Sequence, residues 1–141
     1  MSSEYLDLIR GSYDAFERGD LDYLIASSDP EIEIVEPPDL PGSQTYRGHD
    51  GLIEAVQNWV GEWDEFHLDV ERVIDAGRER VITLVRHHGR GRSSGVPVES
   101  RWVYLHTGRD GKVIRWEMFG TLDDAFAAIG LRKLKGEGRS S

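Results

Sequence analysis

The chain contains no cysteine, which removes disulfides, thiolate metal sites and a cysteine nucleophile, and suits a reducing compartment. It is also short of positive charge: 17 Lys and Arg stand against 26 Asp and Glu, a net charge of −9 at pH 7. Nucleic acid and anionic membrane surfaces are therefore not expected partners, because both are bound through clustered basic side chains. No apolar run reaches the roughly 20 residues needed to cross a bilayer. The opening MSSEYLDLIRGSYDAF places acids in a helical pattern, where a secretory leader has a basic start and an apolar stretch. A soluble, cytoplasmic protein is the expectation. No Gly-x-Ser-x-Gly is present, so the nucleophile elbow of covalent hydrolases is missing. GRGRSSG, residues 89–95, lacks the Gly-Lys-Ser/Thr ending and following helix of a phosphate loop and reads as a hairpin loop. His87, His88 and His106 could be grouped with Glu36, but they have none of the helix or loop spacings that mark metal motifs. Neither a metal nor another cofactor is expected.

What is present fits one domain: 141 residues can enclose a core but are too few for two comfortable ones. Leu6, Ile9, Tyr13 and Phe16 recur at helical spacing from Glu4 to Arg18, and Gly19 ends the pattern. Asp20 can cap a second short helix carrying Leu21, Leu24 and Ile25, stopped by Pro30. EIEIVE, residues 31–36, alternates with period two and predicts a strand with Ile32, Ile34 and Glu36 on one side. PPDLPGSQTYRGHDG, rich in Pro and Gly, reads as a surface loop long enough to form a rim or lid. A third amphipathic helix takes Leu52, Ile53, Val56, Trp59, Val60 and Trp63, with Asp50 as its cap. Four strands follow, HLDVERVID, ERVITLVRHHGRG, VPVESRWVYLHT and KVIRWEMFG, joined by tight turns and hence antiparallel neighbours. TLDDAFAAIGL predicts a short helix capped at Thr121 and closed at Gly130, and residues 132–141 a frayed tail. Helices followed by a curled antiparallel sheet make an α+β domain, its three N-terminal helices covering one face.

The Arg109-Asp110-Gly111 turn decides which side chains share that face. A two-residue turn sets Tyr104 opposite Glu117; a three-residue loop, which we favour, sets it opposite Trp116. The latter gathers Trp102, Tyr104, His106, Ile114, Trp116 and Met118 on one face, leaving Arg101, Val103, Leu105, Arg115, Glu117 and Phe119 on the other. The mixed face suits partial exposure or a homodimer interface through the outer sheet. A symmetric hairpin across RSSG turns His87, Val85 and Thr83 inward and His88 outward, and a loop one residue different reverses this. Glu36 reaches the covered side if the first strand joins the sheet there. A carboxylate among apolar groups resists ionisation, which would suit it to moving protons near neutrality. His49, at a helix start, suits a cap or rim role, and His67 the surface.

The segments FERGDLDYL, YRGHDGL, GRSSGVPVE, RDGKVIRWE and DDAFAAIGL, in this order and spacing, resemble the nuclear transport factor 2-like superfamily, and within it the SnoaL-like group that includes polyketide cyclases. The resemblance covers about residues 4–131. It implies a cone of curved mixed or antiparallel sheet and helices around a central pocket, commonly in dimers, with the aromatic set as pocket wall. Similarity to ketosteroid isomerases implies a proton-shuttling acid at Glu36. The rest departs from those enzymes: Ser12, beside Tyr13, stands at the donor tyrosine and Tyr104 near the second, acidic donor. Compared with limonene-epoxide-hydrolase-like members, His87 lies near a catalytic acid and Met118 at another, so that carboxylate and arginine arrangement is absent.

These readings converge on a cofactor-independent enzyme for a small, mostly apolar organic molecule, acting by acid–base chemistry: isomerisation, cyclisation or hydration. Glu36 would move the proton, with His87 and Tyr104 supplying a second proton or holding an oxyanion. Tyr13, Trp59, Trp63, Trp102, His106, Trp116 and Met118 would line the substrate. The alternatives are a non-catalytic carrier or sensor of the same ligand class, and a dimerisation module filled by its own side chains.

Overall fold

Tyr5, Ile9 and Tyr13 recur every four residues along α1 (Ser3–Arg18), and the helical repeat turns all three to the interior, where each is buried. The computed structural model describes residues 3–130; the tail expected at 132–141 and the close of the domain at 131 lie outside them. Gly19, with φ of 72°, ends α1 in the left-handed conformation. Asp20 then caps α2 (Leu21–Ala26), its side chain accepting the Tyr23 N–H at 3.1 Å.

The elements continue as β1 (Ser28–Val35), β2 (Thr45–Arg47), α3 (Gly48–Gly61), β3 (Trp63–Asp75), β4 (Arg80–Gly91), β5 (Pro97–Arg109), β6 (Lys112–Phe119) and α4 (Leu122–Ala128). Their six strands form one sheet in the order β2-β1-β6-β5-β4-β3, antiparallel throughout except for the parallel β1–β6 pair. The domain is thus α+β with a curved, unclosed mixed sheet. β2 lies inside the segment expected to be loop, pairing Thr45–Arg47 back onto β1. Trp63 does not belong to the third helix. Gly61 and Glu62 end that helix, and Trp63 opens β3 opposite Gly91, its helical spacing a coincidence of the junction. Nor does Asp50 cap α3: Arg47 occupies the N-cap without a side-chain capping bond, and Asp50 sits in the first turn.

The β5–β6 hairpin is neither of the two expected. Asp110 and Gly111 both have positive φ, making a two-residue turn that pairs Arg109 with Lys112. A bulge then opposes the step from Gly108 to Thr107 with the step from Val113 to Arg115, so Ile114 is the extra residue. The bulge restores the facing pattern that the shorter turn would have reversed: Tyr104 is opposite Met118 and His106 opposite Trp116. Val113 takes the place expected for Ile114 in the main core cluster.

Helices α1 to α3 cover the concave face, and the main core, including Ile9, Ile32, Ile34, Leu52, Val81 and Val85, fills the space between. The opposite face is not simply exposed. α4, capped by Thr121 as the Asp124 N–H donates to its hydroxyl at 3.1 Å, lays Ala125 and Phe126 over Ile82, Val103, Leu105 and Phe119. Beyond α4 that face carries cross-strand ion pairs, among them Arg86–Asp69 and Arg101–Glu71. No described helix is long and apolar enough to cross a membrane.

Candidate functional site

Alternation along β4 sends Thr83, Val85 and His87 to the concave face, and alternation along β5 sends Tyr104 and His106 beside them. His88 points the other way, where its Nε2 lies 3.1 Å from Asp69. This is the register of the symmetric RSSG hairpin, with Arg90 paired to Pro97. α1 lowers Tyr13 onto the two strands. Its phenol shares hydrogen bonds with Thr83 Oγ1 at 2.6 Å and with His106 Nε2 at 2.8 Å, all three side chains being buried. Next to this group, the Tyr104 phenol and His87 Nε2 share a bond of 2.8 Å.

Burial fixes the protonation of both pairs. Desolvation lowers His106 to about 3 and His87 to about 4, so both imidazoles are neutral at pH 7. It also raises the phenols of Tyr13 and Tyr104 above their ordinary range, with the neighbouring Tyr13 and Glu36 adding to the rise at Tyr104. The concave face therefore holds two neutral phenol–imidazole pairs.

A belt of rings surrounds them. Trp116 on β6 lies 5.4 Å from the His106 ring and 5.7 Å from Tyr104, and Trp59 on α3 meets it edge-on at 5.7 Å. The Trp59 N–H donates to Glu36 Oε2 at 2.8 Å, and the Gln44 backbone N–H donates to Glu36 Oε1 at 3.0 Å. The Glu36 N–H in turn donates to the Gln44 carbonyl at 3.1 Å. Glu36 is therefore half-buried at the end of β1, hydrogen-bonded at the neck of the Pro37–Ser43 loop instead of sitting among apolar groups alone. Trp63 stands further out, 4.8 Å from Phe66, whose ring lies 5.3 Å from His87. Trp102 and Met118 stand at the open end, where Trp102 donates its N–H to Ser100 Oγ at 3.2 Å.

The rings touch, and the room between them is divided. An inner cavity of about 20 Å³ is bordered by Tyr13, Ser27, Ser28, His106 and Trp116, space for on the order of one water molecule. At the open end, Pro37, Pro38, Leu40, Trp102, Met118 and α4 border a depression of about 600 Å³, which is the size of an organic-ligand site. Glu36, Trp59, Trp116, Tyr104, His87, Tyr13 and His106 form one connected group; Trp102 and Met118 face the depression, and Trp63 joins only through Phe66. Thr83, Phe66 and Gln44 join the site beyond the residues to which the sequence points. The alternation with His87 was the available signal for Thr83; the other two depend on tertiary contacts. His49 and His67 take linking roles, with His49 Nε2 3.0 Å from the Ser28 carbonyl and His67 Nδ1 3.1 Å from Glu17.

A profile of the SnoaL-like domain matches residues 9–116. The chain belongs to the SnoaL-like domain family. Among solved structures, an NTF2-like protein from Burkholderia thailandensis is similar at 30% identity, covering 84% of this chain and 91% of its own, with a TM-score of 0.73. A putative SnoaL-like polyketide cyclase from Jannaschia is 19% identical over 92% of this chain and 91% of its own, with a TM-score of 0.74. TerC, crystallised with polyporic acid, is 23% identical over 92% of this chain and 98% of its own, with a TM-score of 0.73. No curated protein matches this SnoaL-like chain.

Proposed function

We propose that this SnoaL-like chain binds a small, largely apolar organic molecule on its concave face and moves a proton on it without a cofactor. The observation that carries the reading is the pair of buried phenol–imidazole bonds, Tyr13–His106 and Tyr104–His87, inside an aromatic wall. Burying polar groups costs free energy that hydrogen bonding only offsets, so a purely structural core gains more from aliphatic side chains. Departures of this kind from local optimality concentrate at functional sites. Further support comes from TerC, a similar fold crystallised with a small organic molecule.

In this reading Glu36 is the base. Its charge already acts on the Tyr104 phenol, and a substrate entering by the open depression would meet both. With the His87 proton on Nε2, the imidazole donates to the Tyr104 oxygen and frees the phenol O–H to donate to a developing oxyanion. Isomerisation, cyclisation and hydration share this requirement for one base and one neutral donor. A second reading, a binder without turnover, is favoured by Glu36 having both oxygens occupied by Trp59 and Gln44.

Glu36→Gln decides between them, because the amide keeps an acceptor oxygen but cannot take a proton. Turnover should fall about 100-fold or more while ligand affinity is held; unchanged turnover would remove Glu36 from the chemistry. The same proposal includes a homodimer through the outer face of β3 to β5 that α4 leaves uncovered.

A further inference from the structure

Trp116 is 8% exposed, and its indole N–H meets no acceptor among the described residues. A buried N–H without a partner is costly, and native interiors rarely tolerate one. The neighbouring donors are employed: Trp59 on Glu36, Trp102 on Ser100, Tyr13 and Tyr104 in their pairs with histidine. Trp116 also borders the inner cavity, and its ring touches both Trp59 at the rim and His106 in depth. Trp116 borders the water-sized inner cavity and not the open depression, so the group that meets its N–H has to be about the size of a single oxygen atom.

Charge supplies a second, independent constraint. Among the described residues, no arginine or lysine borders the inner cavity or the open depression. Many of the arginines are held in surface pairs, for example Arg86 with Asp69 and Glu99, and Arg115 with Glu33. Glu36 stands at the rim, and Asp39 and Asp124 border the depression itself. A carboxylate or phosphate would find no counter-charge here and three like charges at the entrance.

We infer that the ligand is an uncharged molecule and that its carbonyl-type oxygen accepts the Trp116 N–H, which makes Trp116 the residue that orients it. The inference rests on the ligand-binding reading and narrows it to neutral ketones, quinones, lactones or amides over acids and acyl phosphates. One hydrogen bond to a neutral acceptor is worth about three- to tenfold in affinity.

Three probes of one skeleton separate the possibilities: 2-acetylnaphthalene, 2-ethylnaphthalene and 2-naphthoate, each titrated into the intact protein and followed by calorimetry and by the tryptophan indole N–H resonances. The ketone should bind about three- to tenfold more tightly than the hydrocarbon, and the carboxylate most weakly. The Trp116 resonance, assigned by its loss in Trp116→Phe, should move downfield with the ketone alone, and Trp116→Phe should erase the ketone's advantage. Should that variant fail to fold, sequential triple-resonance assignment of the natural protein identifies the Trp116 indole, and its shift still decides. Equal affinity for ketone and hydrocarbon with a stationary Trp116 resonance would overturn the orienting role and leave ligand binding standing. Tightest binding of the carboxylate would overturn the uncharged class. Failure of all three to bind would overturn both the inference and the reading beneath it.

Discussion

At the scale of single residues, the two buried imidazoles tie this protein's stability to pH. An exposed histidine titrates near 6.5, whereas His87 and His106 stay neutral in the fold down to about 4 and about 3. Between those values the unfolded chain holds protons that the folded chain does not, so stability falls as the pH drops through 6.5 and is fully present above it. At about 1.4 kcal/mol per unit and per group, the loss by pH 4 is about 6 kcal/mol, comparable to the whole stability of a small domain. Urea unfolding followed from pH 7.5 to 4 should show this slope, and His106→Gln should flatten it by about half. A slope unchanged in that variant would contradict a neutral, buried His106. Tyr13→Phe removes one hydroxyl serving both Thr83 and His106, and should destabilise by about 1–3 kcal/mol in the same assay at pH 7.5.

Secondary-structure elements set which of these residues meet. β3 crosses β4 so closely at Gly89 that a β-carbon there would stand within bonding reach of the Glu65 carbonyl oxygen. Gly89→Ala should therefore cost about 1–3 kcal/mol or more in urea unfolding; a neutral substitution would mean that the strands separate freely. Thr121→Ala removes the α4 cap and should cost about 1 kcal/mol, with faster hydrogen exchange in α4 and at Val103 and Leu105 beneath it. Exchange unchanged at those sites would show that α4 does not protect that face. The elements were largely legible in the sequence because periodicity and Gly or Asp at the junctions are local signals, as at Gly19, Asp20 and Thr121. Trp63 and Ile114 were misread for a common reason: a strand start after a helix end, and a bulge after a tight turn, each shift the pattern by one residue without changing composition. β2 was hidden because three residues, TYR, gain strand geometry only by pairing with β1. Of the candidate site, alternation placed Tyr104 and His106 on one face; Trp116 was set beside them through a three-residue loop, and it lies there because a bulge at Ile114 offsets the two-residue turn. Alternation could not show that the Tyr13 phenol reaches His106, or that Glu36 is held by Trp59, since those contacts join elements far apart in the chain.

For the whole molecule, the wrapping of α1 to α3 over a concave sheet puts polar pairs where a small domain usually buries aliphatic groups, while charge pairs occupy the outer face. The proposed dimer through that face should appear in sedimentation velocity as a species of twice the chain mass, weakened by reversing charge at Arg86 and Arg101; a monomer at every concentration would remove it. The larger claim is that the concave face receives a neutral organic molecule. It is tested most directly by native mass spectrometry of the natural protein and Glu36→Gln, both isolated from the protein's own cells and compared with the same samples after denaturation. The account predicts that Glu36→Gln, able to bind but not to turn over, carries an additional small-molecule mass that denaturation releases. Bare chain mass in both proteins, under conditions gentle enough to preserve noncovalent complexes, would contradict it.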